Sequence, residues 1–152
     1  MIPIHLPEIR PVKPGELPEV LELYAELEGD GKTTDLAHAQ ALFARIQRYP
    51  DYTVYVAVVD ETIVGTFALL IMDNLAHQGI PSGIVEDVVV ASTWRGQGIG
   101  KQMMLFAMEH CRKAGCYKLV LSSNLKRDEA HRFYETLGFE KHGFSFVVSL
   151  SS

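Results

Sequence analysis

The sequence predicts a mixed α/β fold in which one central, mostly antiparallel sheet has helices on both faces. Segments rich in β-branched and aromatic residues alternate with segments whose apolar residues recur at helical spacing. One apolar segment, residues 84–90, is followed by a glycine-rich turn, an amphipathic helix and another apolar segment, which is the order of a parallel βαβ unit. No linker or repeat divides the 152 residues, so we expect a single domain over residues 1–152.

The first third of the chain predicts a short strand at residues 8–12 and then two helices. Apolar residues recur at helical spacing in residues 16–27, and Gly29 is expected to end that helix. The second helix is expected to begin at Asp35, a favourable N-cap residue, and to stop at Pro50.

The middle of the chain predicts an antiparallel hairpin and a buried strand. Residues 53–59 and 62–72 are rich in β-branched and aromatic side chains, and Asp60 and Glu61 join them. Residues 84–90 are almost uniformly apolar after their acidic pair, which indicates a central strand buried on both faces.

The last third adds two helices and two strands. The helix after the glycine-rich turn closes at Gly115, and residues 117–121 return as a strand parallel to the central one. Asp128 is the expected N-cap of a further helix that Gly138 ends. Residues 144–150 supply the last strand.

The composition is that of an ordinary globular protein, with 47% apolar residues, 22% charged residues and a formal net charge of -5. This charge argues against nucleic acid or an anionic membrane as partner, but not against an anionic small molecule. The amino terminus lacks the features of a signal peptide, and no apolar run reaches the roughly 18 residues of a membrane span. We therefore expect a cytoplasmic protein.

The cysteines and histidines predict neither a disulfide nor a metal site. Cys111 lies inside a predicted helix and Cys116 just beyond it, where free buried thiols are the usual state. His110 lies beside Cys111, but the three residues have no recognised ligand spacing. We expect no metal and no nucleophilic cysteine.

The glycine-rich turn after the central strand is the most informative segment. Gly96, Gly98 and Gly100 let the backbone approach a ligand closely, and the N–H groups of the following helix favour an anion such as a pyrophosphate. A dinucleotide G-x-G-x-x-G motif is excluded because Lys101 holds its third glycine position, and a Walker loop because Gln102 follows Lys101. By itself, the turn fits a tight connection as well as a ligand site.

Two motifs together resemble one family. Arg95, Gly98 and Gly100 fill the pattern (Gln/Arg)-x-x-Gly-x-(Gly/Ala), and LSSNLKRDEAHRFYETLGFEKHGF follows at residues 121–144. They resemble the GNAT superfamily of acyl-CoA-dependent N-acetyltransferases. The resemblance is specific from about Ile84 to Phe146, where SSNLKRDEAHRFYETLGFEKHGFSF is similar to aminoalkylphosphonate N-acetyltransferases, whereas VEDVVV and GCYKLVL resemble glucosamine-phosphate N-acetyltransferases.

The resemblance implies acetyl-CoA as co-substrate and two central parallel strands that splay apart. The pyrophosphate would lie on the glycine-rich turn, and the pantetheine arm would enter the gap and bind the central strand like an added strand. The amide of Asn124 would contact the pantetheine arm or the acetyl group. The cofactor-binding residues implied in this way are Val88, Val89, Val90, Arg95, Gly96, Gln97, Gly98, Ile99, Gly100, Lys101, Asn124, Arg127 and His131.

Tyr134 is the candidate catalytic residue for the leaving thiolate. A phenol with a pKa of about 10 stays protonated where a thiol titrates near about 8.5, so complete proton transfer is uphill by about 2 kcal/mol. Tyr134 would therefore act first as a hydrogen-bond donor and complete the protonation late. Helical spacing alone favours the alternative that Tyr134 is one more core aromatic residue beside Phe133, and the family pattern is what favours a catalytic role.

Two adjacent carboxylates interrupt the central strand. Glu86 and Asp87 should face opposite sides of the sheet, so only one can point into a given cleft. We expect Glu86 to bind the acceptor ammonium and pass its proton to water, with Asp87 as the second substrate-binding candidate. The alternative is that they face solvent or a structural partner.

The predicted activity is transfer of the acetyl group of acetyl-CoA to a primary amine of a small molecule, by direct attack in a ternary complex. The acceptor pocket is expected between the first two helices and residues 73–82. Acetylation of a protein or peptide N terminus and a noncatalytic acetyl-CoA-binding sensor are the alternatives.

We expect a homodimer that pairs through residues 144–150, and neither a nucleic-acid nor a membrane partner. Basic residues that could hold CoA phosphates or an anionic acceptor, or form a solvated face, are Lys126, Arg127, Arg132, Lys141 and His142.

Overall fold

The computed structural model describes residues 6–28, 31–123 and 127–151. The chain divides into two compact units, Met1–Val120 and Leu121–Ser152. A single domain over residues 1–152 stays a prediction. In the described ranges, none of the helices is long and apolar enough to cross a membrane.

The first unit contains the larger part of the sheet and three of the α-helices. Its elements are β1 (Glu8–Pro11), α1 (Leu17–Glu28), α2 (Leu36–Ile46), β2 (Tyr52–Val59), β3 (Thr62–Met72), β4 (Ser82–Val90) and α3 (Ile99–Lys113). β5 (Leu119–Leu121) begins in the first unit and ends in the second, which also contains α4 (Asp128–Thr136). Short 3-10 turns lie at Pro14–Glu16, His77–Gly79 and Ser92–Trp94.

The five strands form one mixed sheet in the order β1-β2-β3-β4-β5. The first three junctions are antiparallel. β4 and β5 run parallel, with α3 as the crossover between them. Backbone bonds at the amino end of β4 join Gly83 N to Lys118 O at 2.9 Å and Tyr117 N to Pro81 O at 3.1 Å. The predicted mixed sheet with one parallel pair is confirmed.

The hairpin between β2 and β3 forms where the sequence predicts it. Asp60 and Glu61 both adopt left-handed conformations, with φ of 47° and 65°. Two successive left-handed residues are typical of a type I′ turn, whose twist matches that of the flanking strands.

Different helices cover the two faces of the sheet. Val56 and Ala68 are buried in a cluster with Phe43 of α2. On the other face, the ring of Tyr55 packs against Phe106 of α3, with centroids 5.0 Å apart. Because adjacent strand residues alternate between faces, helices lie on both sides, as predicted.

Two glycines let α3 pack closely against the sheet. A Cβ atom at Gly65 would lie 2.8 Å from the sulfur of Met103, and one at Gly83 would overlap the sulfur of Cys111. Both sulfur-bearing side chains are buried. The contact at Gly65 fixes the start of α3 near the end of β4, where the glycine-rich turn lies, and the contact at Gly83 fixes the end of α3.

Several predicted boundaries are wrong. α2 ends at Ile46, well before Pro50, because backbone bonds of the tighter i to i+3 type turn the chain immediately after the helix. Arg127 is the N-cap of α4, and Asp128 is its first helical residue, where a negative charge still favours the helix dipole. Gly29, the predicted end of α1, lies outside the described residues.

The last two predicted strands differ most from the structure. β5 is limited to Leu119–Leu121. Residues 144–150 do not form a strand, because no ladder joins them to another strand in the described part of the chain. Large apolar side chains of this segment are at least 77% exposed, namely Phe144, Phe146, Val147, Val148 and Leu150.

One ion pair ties β1 to the start of α1. Both terminal guanidinium nitrogens of Arg10 donate to the carboxylate of Glu16, at 2.8 and 2.7 Å, and Lys13 N also donates to this carboxylate at 2.8 Å. The hydrogen bonds from Arg10 are the main cause that lowers the pKa of Glu16 to about 2. The pair therefore fastens the edge strand to the helix that follows it.

Glu16→Gln is expected to lower the free energy of unfolding by about 1–2 kcal/mol at neutral pH. The estimate is modest because the two side chains are still 22% and 21% exposed. A lowered pKa stabilises the fold above the unfolded value of about 4.3 and loses this effect as the pH falls toward the folded value. Urea unfolding should show the difference at neutral pH and lose it near pH 2. A difference that is equal at both pH values would contradict the ionic origin.

Candidate active site

The glycine-rich turn connects β4 to α3. Ser92–Trp94 form a 3-10 turn, and Arg95 has an extended backbone. Gly96 and Gly98 then adopt left-handed conformations, with φ of 78° and 83°. This conformation costs a residue with a Cβ atom roughly 1–2 kcal/mol, which explains why glycine occupies both positions.

The start of α3 has the geometry of an anion site. Gly98 is the N-cap, and the first internal helix bond runs from Gln102 N to Gly98 O at 3.1 Å. The N–H groups of Ile99, Gly100 and Lys101 precede that bond and are available to a ligand. In the described structure, a Cβ atom on Gly98 would meet nothing within 4 Å, so the space before the helix is open. These residues fit a pyrophosphate group.

The side chains of the turn differ in what they can contribute. Ile99 is buried in the core, so its backbone alone can face a ligand. Gln97 and Lys101 are exposed. Arg95 is also exposed, and its Nε donates to the carbonyl of Val90 at 3.2 Å, which holds the start of this side chain at the end of β4.

A β-bulge interrupts β4 at the acidic pair. Between the cross-strand pairs Ala68–Glu86 and Thr66–Val89, two residues of β4 oppose one residue of β3. Asp87 is left-handed there, with φ of 55°. Aspartate and asparagine tolerate this conformation better than most residues with a Cβ atom. Bulges of this kind change the direction of side chains and often lie at functional sites.

The bulge breaks the regular alternation that predicts opposite faces for the two carboxylates. Burial, then the charge of Asp87, then that of Glu86 raise the pKa of Tyr52, so both carboxylates lie near one phenol. Desolvation, and then the charge of Asp87, raise the pKa of Glu86. Because the strand is irregular here, the opposite faces expected for Glu86 and Asp87 no longer follow from simple alternation and stay a prediction.

Tyr24 of α1 lies beside the bulge. Burial and then the charge of Asp87 raise the pKa of Tyr24 to about 12, so its hydroxyl stays protonated at neutral pH and can donate. The hydroxyl of Thr66 interacts with Tyr24 and donates to the carbonyl of Tyr55 at 2.8 Å. Sequence reasoning missed Tyr24 because its position on the apolar stripe of α1 identifies it as a core residue.

A groove of about 370 Å³ opens between α1 and the bulge. The contribution of α1 agrees with the predicted acceptor pocket, but neither α2 nor residues 73–82 contribute to its described lining. Glu86 is not part of the lining either. The residues that line the groove are Leu21, Tyr24, Leu27, Lys32, Thr33, Thr34 and Asp87.

The groove and the glycine-rich turn are connected in two ways. β4 carries Asp87 and ends at Val90, immediately before the turn. Glu26 of α1 accepts hydrogen bonds from the backbone N–H of Ser92 at 3.2 Å and from its hydroxyl at 3.3 Å. The helix that lines the groove is thus fastened to the start of the turn.

Tyr134 lies on α4 in the second unit. Its ring packs against Phe133 and Phe139, with centroid distances of 5.2 and 5.7 Å. Burial raises the pKa of Tyr134, opposed by the charge of Arg127. The phenol therefore stays protonated at neutral pH, as proton donation requires, and it also has the aromatic contacts of the structural alternative.

Of the other predicted residues of the second unit, Arg127 and His131 lie at the start of α4. The backbone N–H of His131 donates to the carbonyl of Arg127 at 3.0 Å, which is the first turn of the helix. Asn124 and Lys126 lie outside the described residues. Lys141 forms an ion pair with Glu135 at 3.7 Å.

The thiols have the environment of inert core residues. Cys111 is buried and Cys116 half-buried, and both are free. Burial raises the pKa of Cys111 to about 12, so the reactive thiolate is scarce at neutral pH. In the described ranges, histidine, cysteine, aspartate and glutamate form no group of three that could hold a metal ion.

Comparison with known proteins identifies the family in which this glycine-rich turn occurs. The model of the acetyltransferase (GNAT) family matches residues 17–139. The chain belongs to the GNAT family. GNAT acetyltransferases use acetyl-CoA as co-substrate, and its pyrophosphate is the type of anion that the start of α3 fits. The protein is therefore an acyltransferase, as the two sequence motifs indicate.

Individual GNAT proteins resemble the chain over much of its length. Glucosamine 6-phosphate N-acetyltransferase of Arabidopsis thaliana is 34% identical over 121 residues, which are 78% of each protein. Aminoalkylphosphonate N-acetyltransferase of Salmonella typhimurium is 35% identical over 101 residues, 66% of this chain and 65% of that protein. The structure of an acetyltransferase of Agrobacterium tumefaciens superimposes with a TM-score of 0.88 at 33% identity, covering 93% of this chain and 99% of the other.

Proposed function

We propose that this GNAT protein transfers the acetyl group of acetyl-CoA to the primary amine of a small molecule, by direct attack in a ternary complex. The groove of about 370 Å³ bordered by Asp87 is the observation that carries this proposal. Its volume falls within the range of about 300–1,000 Å³ that is typical of small-molecule sites. The names of the Arabidopsis and Salmonella relatives, which specify glucosamine 6-phosphate and an aminoalkylphosphonate, support it.

The acidic pair at the bulge would prepare the amine. Because Asp87 and not Glu86 borders the groove, Asp87 would take the ammonium-binding role expected of Glu86. Glu86, with its raised pKa and outside the lining, would accept the proton through a water molecule. This help matters because deprotonating a lysine-like amine at pH 7 costs roughly 4.6 kcal/mol, whereas an amine with a pKa of about 8 costs far less. The neutral nitrogen then forms its bond to the acetyl carbon as the carbon–sulfur bond breaks.

The remaining roles follow the resemblance. The N–H groups at the start of α3, with Arg95 and Lys101 nearby, would hold the pyrophosphate. The backbone of residues 88–90 would bind the pantetheine arm, and Asn124, Arg127 and His131 would add further contacts. Tyr134 would donate its hydroxyl proton to the departing sulfur, and the proton given up by the nitrogen balances this donation.

A thiol-release assay with acetyl-CoA tests the proposal. The acceptors would be aminoalkylphosphonates, hexosamine phosphates, polyamines, amino acids and short peptides. We expect turnover that is confined to one class of small primary amine. Higher activity on peptides would support N-terminal acetylation instead. Silence across the panel, together with measured acetyl-CoA binding, would support the noncatalytic sensor.

Residues 144–150 would be the contact between two copies of the chain. The exposed apolar side chains of this segment commonly indicate an interface, and strand pairing with a second copy would bury them. Sedimentation velocity should therefore show a dimer, and a Phe146→Ser, Val148→Ser double variant should be monomeric. A wild-type chain that sediments only as a monomer would contradict this proposal.

A cytoplasmic location stays a prediction from the sequence.

A further inference from the structure

The groove beside the bulge contains polar groups of opposite charge. Asp87 contributes a carboxylate from β4. The connection between α1 and α2 contributes the ammonium of Lys32 and the hydroxyls of Thr33 and Thr34, on three exposed residues. Lys32 is the cationic residue of the described lining, and Asp87 is the anionic one. A single acceptor in this groove therefore meets both charges.

The wall of the groove sets the length over which an acceptor can contact α1. Leu21, Tyr24 and Leu27 are spaced three residues apart and lie along one side of α1. At a rise of 1.5 Å per residue, they span about 9 Å of helix. An extended tripeptide already reaches about 10 Å. The groove suits a compact molecule whose amine is separated from a second polar group by a short chain or one ring.

The residues of the connection match one chemical class. An ammonium and two hydroxyls present several hydrogen-bond donors, which is what the oxygens of a phosphate or phosphonate require. A carboxylate on the acceptor offers fewer oxygens, and a second ammonium would be repelled by Lys32. Asp87 has the charge that attracts the amine and repels the anion, so the two polar groups also orient the acceptor.

We propose that Lys32, Thr33 and Thr34 form the subsite that recognises a phosphate or phosphonate group on the acceptor, whose ammonium pairs with Asp87. This inference rests on the proposed function and makes it more specific. It assigns recognition of the anion to the connection between α1 and α2. From the sequence alone, the candidates for that role are the basic residues between positions 126 and 142.

Paired acceptors test the subsite. Glucosamine 6-phosphate would be compared with glucosamine, and 2-aminoethylphosphonate with ethylamine, in wild type, Lys32→Gln, Lys32→Arg and Lys113→Gln. Lys113 ends α3, is exposed and lies outside the groove, so its variant is the matched control. Lys32→Gln should lower kcat/KM for the anionic acceptors about tenfold or more, mainly through KM, and change the uncharged acceptors by less than about twofold. Lys32→Arg should keep most of the preference.

The outcomes separate this inference from the function on which it rests. If wild type acetylates anionic amines and Lys32→Gln affects both members of each pair equally, or neither, the subsite is wrong while the proposed function stands. If the phosphate is recognised and the phosphonate is not, or the reverse, the preference identifies which anion the subsite accepts. If wild type acetylates no small amine, the proposed function fails, and the subsite fails with it.

Discussion

Replacing Asp87 with asparagine is expected to lower kcat/KM for the preferred amine about 100-fold, which corresponds to about 2.7 kcal/mol of transition-state stabilisation. Asp87 is the acidic residue that lines the groove, so its charge is the one that an acceptor ammonium meets there. The asparagine amide can still accept a hydrogen bond, but it has no negative charge to pair with the ammonium. Steady-state kinetics with the amine varied at saturating acetyl-CoA measures this effect.

Asparagine is the substitution that isolates the charge. Asp87 is left-handed, with φ of 55°, and asparagine adopts this conformation as readily as aspartate does. The bulge should therefore persist in the variant, whereas an alanine would add backbone strain to the loss of charge. The KM for acetyl-CoA should change by less than about twofold, because the substitution leaves the backbone of β4 in place.

The Glu86→Gln variant distinguishes the two carboxylates. If Glu86 accepts the proton, kcat/KM of wild type rises with pH as this carboxyl ionises, and the raised pKa places that rise above the ordinary glutamate value of about 4.3. In Glu86→Gln, kcat/KM should no longer rise over this pH range, whereas in Asp87→Asn the rise should remain. A large loss in Glu86→Gln beside nearly normal kinetics in Asp87→Asn would transfer recognition of the amine to Glu86.

The features that follow from local sequence could be predicted. The hairpin at Asp60 and Glu61 requires only a pair of residues that tolerate left-handed conformations between two β-rich segments. Gly96 and Gly98 are likewise left-handed in a turn whose glycines are visible in the sequence. The order of strand, turn and helix was sufficient to predict the parallel pair of strands.

The acidic pair and the groove depend on contacts between distant residues. The bulge at Asp87 arises from the register of β4 against β3, and a sequence pattern of period two cannot indicate one extra residue. Lys32 lies in the connection between α1 and α2, and its place in the groove depends on how α1 packs beside β4. Residues 144–150 have the composition of a strand, but a strand also requires a partner.

Tyr134→Phe is expected to lower kcat about 100-fold while the KM for acetyl-CoA stays within about twofold, because the variant removes a proton donor that acts on the departing sulfur. The remaining phenyl ring keeps the packing against Phe133 and Phe139, so the second unit should fold as in wild type. Single-turnover release of the thiol would measure the chemical step, and direct titration with CoA would confirm that binding is retained.

The direction of the pKa shift at Tyr134 gives this test a second readout. Donation requires the protonated phenol, and burial raises its pKa above the ordinary value, so ionisation of Tyr134 should reduce kcat only at a higher pH than that at which an ordinary tyrosine ionises. Tyr117→Phe is the control, since Tyr117 is an exposed tyrosine in ring contact with His77 in the first unit and should keep wild-type turnover. A Tyr134→Phe protein that binds CoA normally and turns over at the wild-type rate would assign Tyr134 to the aromatic packing of α4, and proton delivery to the sulfur would then belong to another group or to water.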